Sequence, residues 1–281
     1  MWGIKCAKNP YYYDMVDHPL KDATIEDLES YPWPDPNDQA RYDGLREDAK
    51  NPRKGTDHAI VADAIFGGLF KCAWWLRGFE KFNVDMYKRS DFTELLLEKI
   101  SKLYVGFYSR YSDAVGDYIQ MVELGDDLGA QTGPIISPAM FRKYLKPRYK
   151  KLYDMIHSKT RAKIFHHTCG SVYPFIKDLI EVGVDVLNPI QPLVAMMDIG
   201  RIKLGFGDTL SLHGGIDIQR ALPYGTREDV IAEVKRVIRL AAPNGGYIIA
   251  GAHNIQADTP AENIYAMFET AKTCGVYPIK A

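Results

Sequence analysis

Cysteine is scarce in this sequence. The 281 residues include four cysteines, at positions 6, 72, 169 and 274. They are too few and too far apart for the disulfide framework that stabilises small secreted domains. The sequence therefore predicts a protein of a reducing compartment, with the cytoplasm as its expected location.

The sequence also lacks an excess of charge of either sign, and it lacks long apolar runs. Lys and Arg number 35 and Asp and Glu number 36, which gives a formal net charge of -1. No basic surplus is present to neutralise phosphates, so we expect no nucleic-acid partner. No apolar run approaches the ~20 residues that span a bilayer, and no charged-then-apolar signal pattern is present, so we expect no membrane association.

From residue 58 onward, short apolar runs alternate with amphipathic helical segments. Six runs predict strands: Ala59–Ile65, Tyr118–Leu124, Ala162–Cys169, Val184–Pro189, Leu210–Gly214 and Tyr247–Ala252. Cap signals predict helix N-termini at Asp91–Glu94, Ser137–Pro138 and Thr259–Pro260, and Gly183 predicts a C-terminus. This alternation predicts a parallel sheet with crossover helices.

A glycine-rich phosphate loop, which a doubly wound nucleotide-binding sheet requires, is absent. The pairs Gly67–Gly68 and Gly214–Gly215 match neither G-x-G-x-x-G nor a Walker loop. Polar residues collect instead at the ends of the predicted strands: Asp63, Glu123, Asp126, Asp127, His167, Cys169, Asn188, Gln191, His213, Asp217, His253 and Asn254. Because the strand ends of a barrel open onto one face, this distribution favours an α/β fold of the (β/α)8 TIM-barrel type.

The first 57 residues do not follow this alternation. Tyr11–Tyr13 and Tyr31–Pro36 are aromatic and turn-rich, and the prolines of the second run forbid a continuous helix or central strand. Asp38–Lys50 predicts one short helix. We therefore divide the chain into an irregular N-terminal segment with a short helix, residues 1–57, and a (β/α) barrel domain, residues 58–281.

A cluster of metal-binding residue types ends the third predicted strand. Side chains two apart on a strand share a face, so His167 and Cys169 can bind one ion while His166 faces the other way. Imidazole and thiolate together suit zinc. His253, at the end of the last strand, supplies a third ligand, and Glu123 is a candidate fourth donor. Three protein ligands with an open position are typical of a catalytic zinc site, whereas the spacing alone also fits a buried polar corner without metal.

Six short motifs extend over most of residues 58–275: Trp75–Glu80, Gly125–Gly129, His167–Val172, Asn188–Pro192, His213–Asp217 and Thr259–Asn263. In combination they resemble the uroporphyrinogen decarboxylase-like superfamily, in particular its corrinoid-dependent methyltransferase branch. The resemblance implies a zinc-dependent methyltransferase that transfers a methyl group from a methoxylated small molecule to a corrinoid protein. The corrinoid (cobalamin) is then carried by that partner.

The sequence departs from the family patterns in two places. The decarboxylases hold porphyrin carboxylates with an arginine-rich N-terminal segment, which has no match here. The methyltransferase branch places a zinc-binding cysteine in the last strand-end motif, where this sequence has His253. One thiolate instead of two leaves zinc a stronger Lewis acid, which favours polarising an ether oxygen over activating a thiol. The resemblance therefore implies O-demethylation.

The remaining polar residues at the strand ends have roles that the sequence leaves open. Asp126 and Asp127 are adjacent and face opposite ways, so at most one of them acts in catalysis or substrate orientation, and the alternative is turn capping. His213 acts on substrate or corrinoid, or donates to a backbone carbonyl. We expect Asn188, Gln191, Asp217 and Asn254 to bind substrate, with pairing to His213 or capping of the following helix as the alternatives for Asp217.

The sequence predicts only six barrel strands. Members of the family that it resembles carry one or two further β/α units upstream of the first of these strands. We expect the chain to self-associate at the resulting gap, or an upstream fragment to complete the barrel. Two other functions stay open: decarboxylation of a tetrapyrrole carboxylate, and a non-catalytic binding subunit.

Overall fold

The computed structural model describes residues 2–9, 13–52 and 54–279, so Tyr11 and Tyr12 of the aromatic run lie outside the described residues. The chain forms two compact units. The first comprises Met1–Asp127, Ile136–Phe165 and Glu181–Gly183, and the second comprises Leu128–Ile135, His166–Ile180 and Val184–Ala281. In the described part of the chain, no helix combines the length and apolarity needed to span a membrane.

The first unit opens with an antiparallel hairpin and continues mainly as helices. Its elements are β1 (Lys5–Lys8), β2 (Tyr13–Asp17), α1 (Ile25–Ser30), α2 (Leu45–Lys50), β3 (Val61–Ala62), α3 (Leu69–Arg77), α4 (Phe79–Lys88), α5 (Ser90–Val115), β4 (Met121–Gly125), α6 (Pro138–Met140), α7 (Lys146–Lys159) and the start of β5 (Lys163–His167). A π-helical turn, Phe141–Leu145, joins α6 to α7.

The N-terminal segment contains more regular structure than the sequence predicts. The hairpin β1–β2 and helix α1 form in addition to the expected short helix, which runs over Leu45–Lys50. The aromatic side chains of this segment pack locally: the Tyr31 hydroxyl donates to the Trp2 carbonyl at 2.7 Å, and Trp33 Nε1 donates to the Leu28 carbonyl at 2.9 Å. The division of the chain at residue 57 stays a prediction.

The second unit consists of alternating strands and helices, with two successive helices between its last two strands. After the end of β5 it contains α8 (Ile176–Val182, whose last two residues belong to the first unit), β6 (Val186–Ile190), α9 (Ile199–Phe206), β7 (Ser211–Ile216), α10 (Ala221–Tyr224), α11 (Arg227–Ala241), β8 (Tyr247–Gly251) and α12 (Ala261–Cys274). Strand β6 is buried along its whole length, and its sequence Val-Leu-Asn-Pro-Ile is apolar apart from the amide of Asn188.

All six predicted strands are confirmed. They lie in the order β3-β4-β5-β6-β7-β8, and the pairs β3–β4, β6–β7 and β7–β8 are parallel. The largest difference in bounds is at β3, which has two residues where seven were predicted. An α/β fold with a parallel six-stranded sheet is therefore established, and its strands follow one another in chain order.

Two of the four predicted helix caps are confirmed and two are wrong. Ser137 caps α6 by accepting from Met140 N, and Gly183 follows α8 with a φ of +105°. Helix α5 begins at Ser90 without a side-chain cap, because its N-cap residue is Arg89 and the Asp91–Glu94 box lies inside the helix. Helix α12 begins at Ala261 after Pro260, and Thr259 provides no side-chain cap.

Candidate metal centre at the strand ends of the second unit

The end of β5 separates its alternate side chains as the sequence predicts. His166 is fully buried on one face, whereas His167 and Cys169 are half-buried. Cys169 Sγ lies 3.4 Å from His167 Nε2. Strand β5 ends at His167, so Cys169 lies in the loop that follows it, and its thiol still meets the imidazole of His167.

A close backbone approach holds the loop that carries Cys169. Gly170 has a φ of +82°, and a Cβ there would lie 2.2 Å from the carbonyl carbon of Gly129. Gly129 N donates to the Cys169 carbonyl at 3.1 Å, and Gly170 N donates to Gln191 Oε1 at 2.6 Å. Gln191 therefore orders the loop that presents the thiol.

His253 follows β8 and completes a three-residue cluster. One donor atom from each of His167, Cys169 and His253 lies within 4.8 Å of the other two, and all three residues are half-buried. A protein-bound zinc ion lies about 2.0–2.3 Å from its ligands, so small side-chain rotations would bring these donors to one ion. Two imidazoles and one thiol are also a donor set that zinc accepts. Among the described residues this is the one such cluster of histidine, cysteine or acidic groups, and it fits zinc in number, type and spacing.

Asn188, on β6, orients the ring of His167. Its Oδ1 lies 2.7 Å from His167 Nδ1. An amide oxygen can only accept, so Nδ1 carries the proton and Nε2, which faces Cys169, keeps its lone pair. A hydrogen bond to the second ring nitrogen is the usual support of a metal-binding histidine.

His213, on β7, contacts the other end of the same amide. Asn188 Nδ2 donates to His213 Nδ1 over 2.7 Å. Burial, assisted by the nearby His167, lowers the pKa of His213 from 6.5 to about 4. Around neutral pH the ring is therefore neutral, and its proton is on Nε2.

Two of the expected substrate-binding residues, Asp217 and Asn254, differ in their exposure to solvent. Asp217 is 7% exposed, and its carboxylate accepts from the backbone N–H groups of Gln219 at 2.7 Å and Arg220 at 3.1 Å, just before α10. These contacts favour the capping role that the sequence left open. Asn254 is exposed in the loop after β8.

Asp126, in the first unit, is 1% exposed and caps the N-terminus of α3, although it lies far from that helix in sequence. It accepts from Phe70 N at 2.8 Å, from Lys71 N at 2.5 Å and from the Tyr149 hydroxyl. Burial raises its pKa from 3.8 to about 6, and these hydrogen bonds oppose that rise. The contacts favour a capping role for Asp126.

The neighbouring acidic groups of the first unit face other partners. Asp127 forms an ion pair with Lys71 at 2.5 Å, and both side chains are partly exposed. Glu123 is half-buried on β4 and accepts a hydrogen bond at its carbonyl from the Tyr108 hydroxyl at 3.3 Å. The role of Glu123 as a fourth metal ligand stays a prediction.

Sequence reasoning missed the structural roles of Asn188 and Gln191, which support the ring of His167 and the loop of Cys169. A signal was present for Asn188, because it is the one polar side chain in the apolar run Val186–Ile190. A buried amide needs partners for both of its ends. The flanking strands supply them.

The fold and the cluster define a class: an α/β protein with a parallel sheet and a histidine–cysteine–histidine cluster at the ends of its strands. The uroporphyrinogen decarboxylase (URO-D) family model matches residues 14–274. The chain therefore belongs to this family.

Relatives of two kinds are similar to this chain. A uroporphyrinogen decarboxylase of Geobacter sulfurreducens is 22% identical over 91% of this chain and 71% of its own length. The methylcobamide:CoM methyltransferase MtaA of Methanosarcina barkeri is 30% identical over 52% of this chain and 42% of its own length. The chain thus spans less than half of the second relative.

One solved structure shares the fold over nearly the whole chain. A methyltransferase from Methanosarcina mazei aligns with a TM-score of 0.72 and 20% identity, covering 98% of this chain and 77% of the other. At that identity the likeness establishes the fold alone.

Proposed function

We propose that this protein is a zinc-dependent methyltransferase that moves a methyl group from a methoxylated small molecule to a corrinoid protein. The observation that carries the proposal is the convergence of His167, Cys169 and His253 within 4.8 Å. Membership of the URO-D family and similarity to the Methanosarcina barkeri protein named a methyltransferase support it.

His167, Cys169 and His253 would hold the zinc ion, with Glu123 as a further candidate. A bound zinc ion would supply Lewis-acid polarisation of the ether oxygen, which makes that oxygen a better leaving group. In the overall reaction the carbon–oxygen bond of the methyl ether breaks. The oxygen keeps the electron pair and ends as a phenolate or alkoxide, while the methyl group passes to the corrinoid.

The chain's own residues position this chemistry. Asn188 holds the His167 ring with Nε2 towards Cys169, and Gln191 fixes the loop that carries the thiol. His213 contributes a neutral ring that bears its proton on Nε2. We assign substrate contacts to Asn254 and Gln191, and a substrate-orienting role to Asp127.

The partner is a corrinoid protein that docks where the substrate's methyl group is accessible. The name of the Methanosarcina barkeri relative includes a methylcobamide, the methylated form of such a cofactor. We further infer that residues 58–281 form an incomplete domain of the (β/α)8 TIM-barrel type, with six strands in its described sheet. The cytoplasmic location predicted from the scarcity of cysteine is part of the same proposal.

The test combines purified protein, a reduced corrinoid protein and a panel of methoxylated aromatic compounds. Methyl transfer is followed by the absorbance change of cob(I)alamin to methylcobalamin. We expect turnover that requires both corrinoid protein and zinc and that falls at least 100-fold in Cys169→Ser. Cys274→Ser is the matched control, because Cys274 is also half-buried and lies outside the cluster.

Decarboxylation of a tetrapyrrole carboxylate is the second candidate, favoured by the decarboxylase from Geobacter sulfurreducens that matches 91% of the chain. Turnover of uroporphyrinogen without corrinoid or zinc, retained in Cys169→Ser, would replace the methyltransferase proposal with this one. Absence of both reactions, together with tight tetrapyrrole binding, would instead indicate a non-catalytic binding subunit.

A further inference from the structure

One amide group lies between two histidine rings of the second unit. Asn188 Oδ1 is 2.7 Å from His167 Nδ1, and Asn188 Nδ2 is 2.7 Å from His213 Nδ1. Asn188 is 8% exposed and lies on β6, between the strands that carry the two histidines. The oxygen and the nitrogen of this buried amide thus each contact the Nδ1 atom of a histidine ring.

The chemistry of these groups restricts which protons are present. A neutral imidazole has one N–H and one lone pair, and an amide has one accepting end and one donating end. The ring that faces Oδ1 must carry its proton on Nδ1, and the ring that faces Nδ2 must keep a lone pair there. The two rings therefore have opposite tautomers. A half-turn of the amide would exchange both tautomers together.

We propose that Asn188 is a positioning residue that couples the tautomers of His167 and His213. Binding of zinc by His167 Nε2 then fixes His213 as a neutral ring that donates from Nε2. The zinc-dependent half of this inference rests on the proposed function, whereas the coupling itself does not. The single amide of Asn188 thus orients His167 as a metal ligand and leaves His213 with a proton on Nε2.

The amide direction that zinc selects is the one in the structure. Zinc requires the lone pair of Nε2 on His167, so Nδ1 carries the proton and faces Oδ1. The Nδ2 end of Asn188 then points to His213 Nδ1. Burial disfavours the charged form of His213, so the ring that accepts from Asn188 Nδ2 is neutral and carries its one proton on Nε2.

The experiment reads ring protonation directly. Long-range ¹H–¹⁵N correlation spectra of the full chain, labelled with ¹⁵N-histidine, distinguish Nδ1–H, Nε2–H and doubly protonated rings. Resonances are assigned with His167→Gln and His213→Gln. We expect opposite tautomers for the two rings without metal, and after zinc addition we expect a metal-bound His167 Nε2 with a proton on His213 Nε2.

Asn188→Asp tests the coupling, because a carboxylate accepts at both ends. We expect His213 Nδ1 to gain a proton, while zinc affinity, measured by competition with a chelator, changes less than about 3-fold because His167 keeps its acceptor. Asn188→Leu removes both contacts and should weaken zinc binding about 10- to 100-fold. Asn51→Asp, at the exposed end of α2, controls for the added charge, because a carboxylate there can still accept from Lys54.

The outcomes separate the two proposals. Equal tautomers in the wild type, or an unprotonated His213 Nδ1 in Asn188→Asp, would overturn the coupling even if zinc binds. Opposite tautomers in a protein that binds no zinc would support the coupling and remove the metal centre from the proposed function. Circular dichroism of each variant establishes that it is folded.

Discussion

At the scale of single residues, the three candidate ligands receive unequal support from their surroundings. His167 is held by the Asn188 amide, and Cys169 lies on a loop fixed by Gly170 and Gln191. The His253 ring lies 5.9 Å from the His167 ring, centroid to centroid. His167 and Cys169 are therefore pre-arranged, and the third candidate ligand, His253, comes from the loop that follows β8.

We expect purified protein to carry close to one zinc ion per chain, and Cys169→Ala to lose most of it. The thiolate is the one anionic ligand of the cluster, so its removal leaves two neutral imidazoles. Elemental analysis after gel filtration measures the content. Cys274→Ala, at the end of α12, is the control. Equal zinc in Cys169→Ala and wild type would remove this thiol from the site.

Asp126 provides a pH-dependent contribution to stability. Its folded pKa of about 6 lies above the unfolded value of 3.8, so its contribution is complete below pH 3.8 and is lost as the pH rises through 6. The free energy of unfolding of the wild type, relative to Asp126→Asn, should fall by roughly 2 kcal/mol between pH 4.5 and pH 7.

Urea denaturation at the two pH values measures this difference. Asp208→Asn, which removes an exposed carboxyl, controls for the loss of one charge. A constant difference between wild type and Asp126→Asn across this range would contradict the pKa shift.

At the scale of elements, the start of α3 is built around a glycine. A Cβ on Gly68 would lie 1.7 Å from the Gly125 carbonyl oxygen and 2.5 Å from Asp126 Oδ1. Helix α3 can therefore reach the buried carboxylate of Asp126 only because residue 68 has no side chain. The hydrogen bonds from Phe70 and Lys71 depend on the same approach.

We expect Gly68→Ala to destabilise the protein by about 3 kcal/mol or more, because the added methyl group forces apart two backbone segments. Gly205→Ala in α9 is the matched control. A Cβ there meets no atom within 4 Å, so it should stabilise the protein by roughly 0.5–1 kcal/mol through helix propensity. Thermal and urea unfolding report both changes. Equal stability of Gly68→Ala and wild type would refute the steric argument.

At the scale of the whole molecule, the described sheet has two edges. Strands β3 and β8 each have one neighbour in the sheet order. Every residue of β8 is at least partly exposed, and Ile248 is 37% exposed. An exposed apolar edge strand is a template for pairing with another chain.

We expect the isolated chain to associate in a concentration-dependent manner, and Ile248→Lys to weaken that association because a charge on an edge strand opposes pairing. Leu204→Lys is the control, since Leu204 is 91% exposed on helix α9. Size-exclusion chromatography with light scattering measures the mass. A monomer at every concentration, with cooperative unfolding, would contradict this prediction.

The sequence by itself determined the strands, their order along the chain and the approach of His167 to Cys169. These features depend on local periodicity. Side chains share a face every two residues on a strand and every 3.6 residues on a helix, so a few consecutive residues are enough to reveal the pattern. Cap signals were less reliable. Asp91 and Thr259 have side chains suited to an N-cap, but packing places the N-cap positions at Arg89 and Pro260, two residues and one residue away.

Tertiary structure alone decided what the buried polar groups contact. Asp126 was open to a catalytic or a capping role until its neighbours were known, and they are N–H groups 55 and 56 residues away in sequence. Asn188 joins two histidines 21 and 25 residues distant. A buried polar group takes its role from whichever donors and acceptors the fold brings within about 3 Å, and no local pattern specifies these partners.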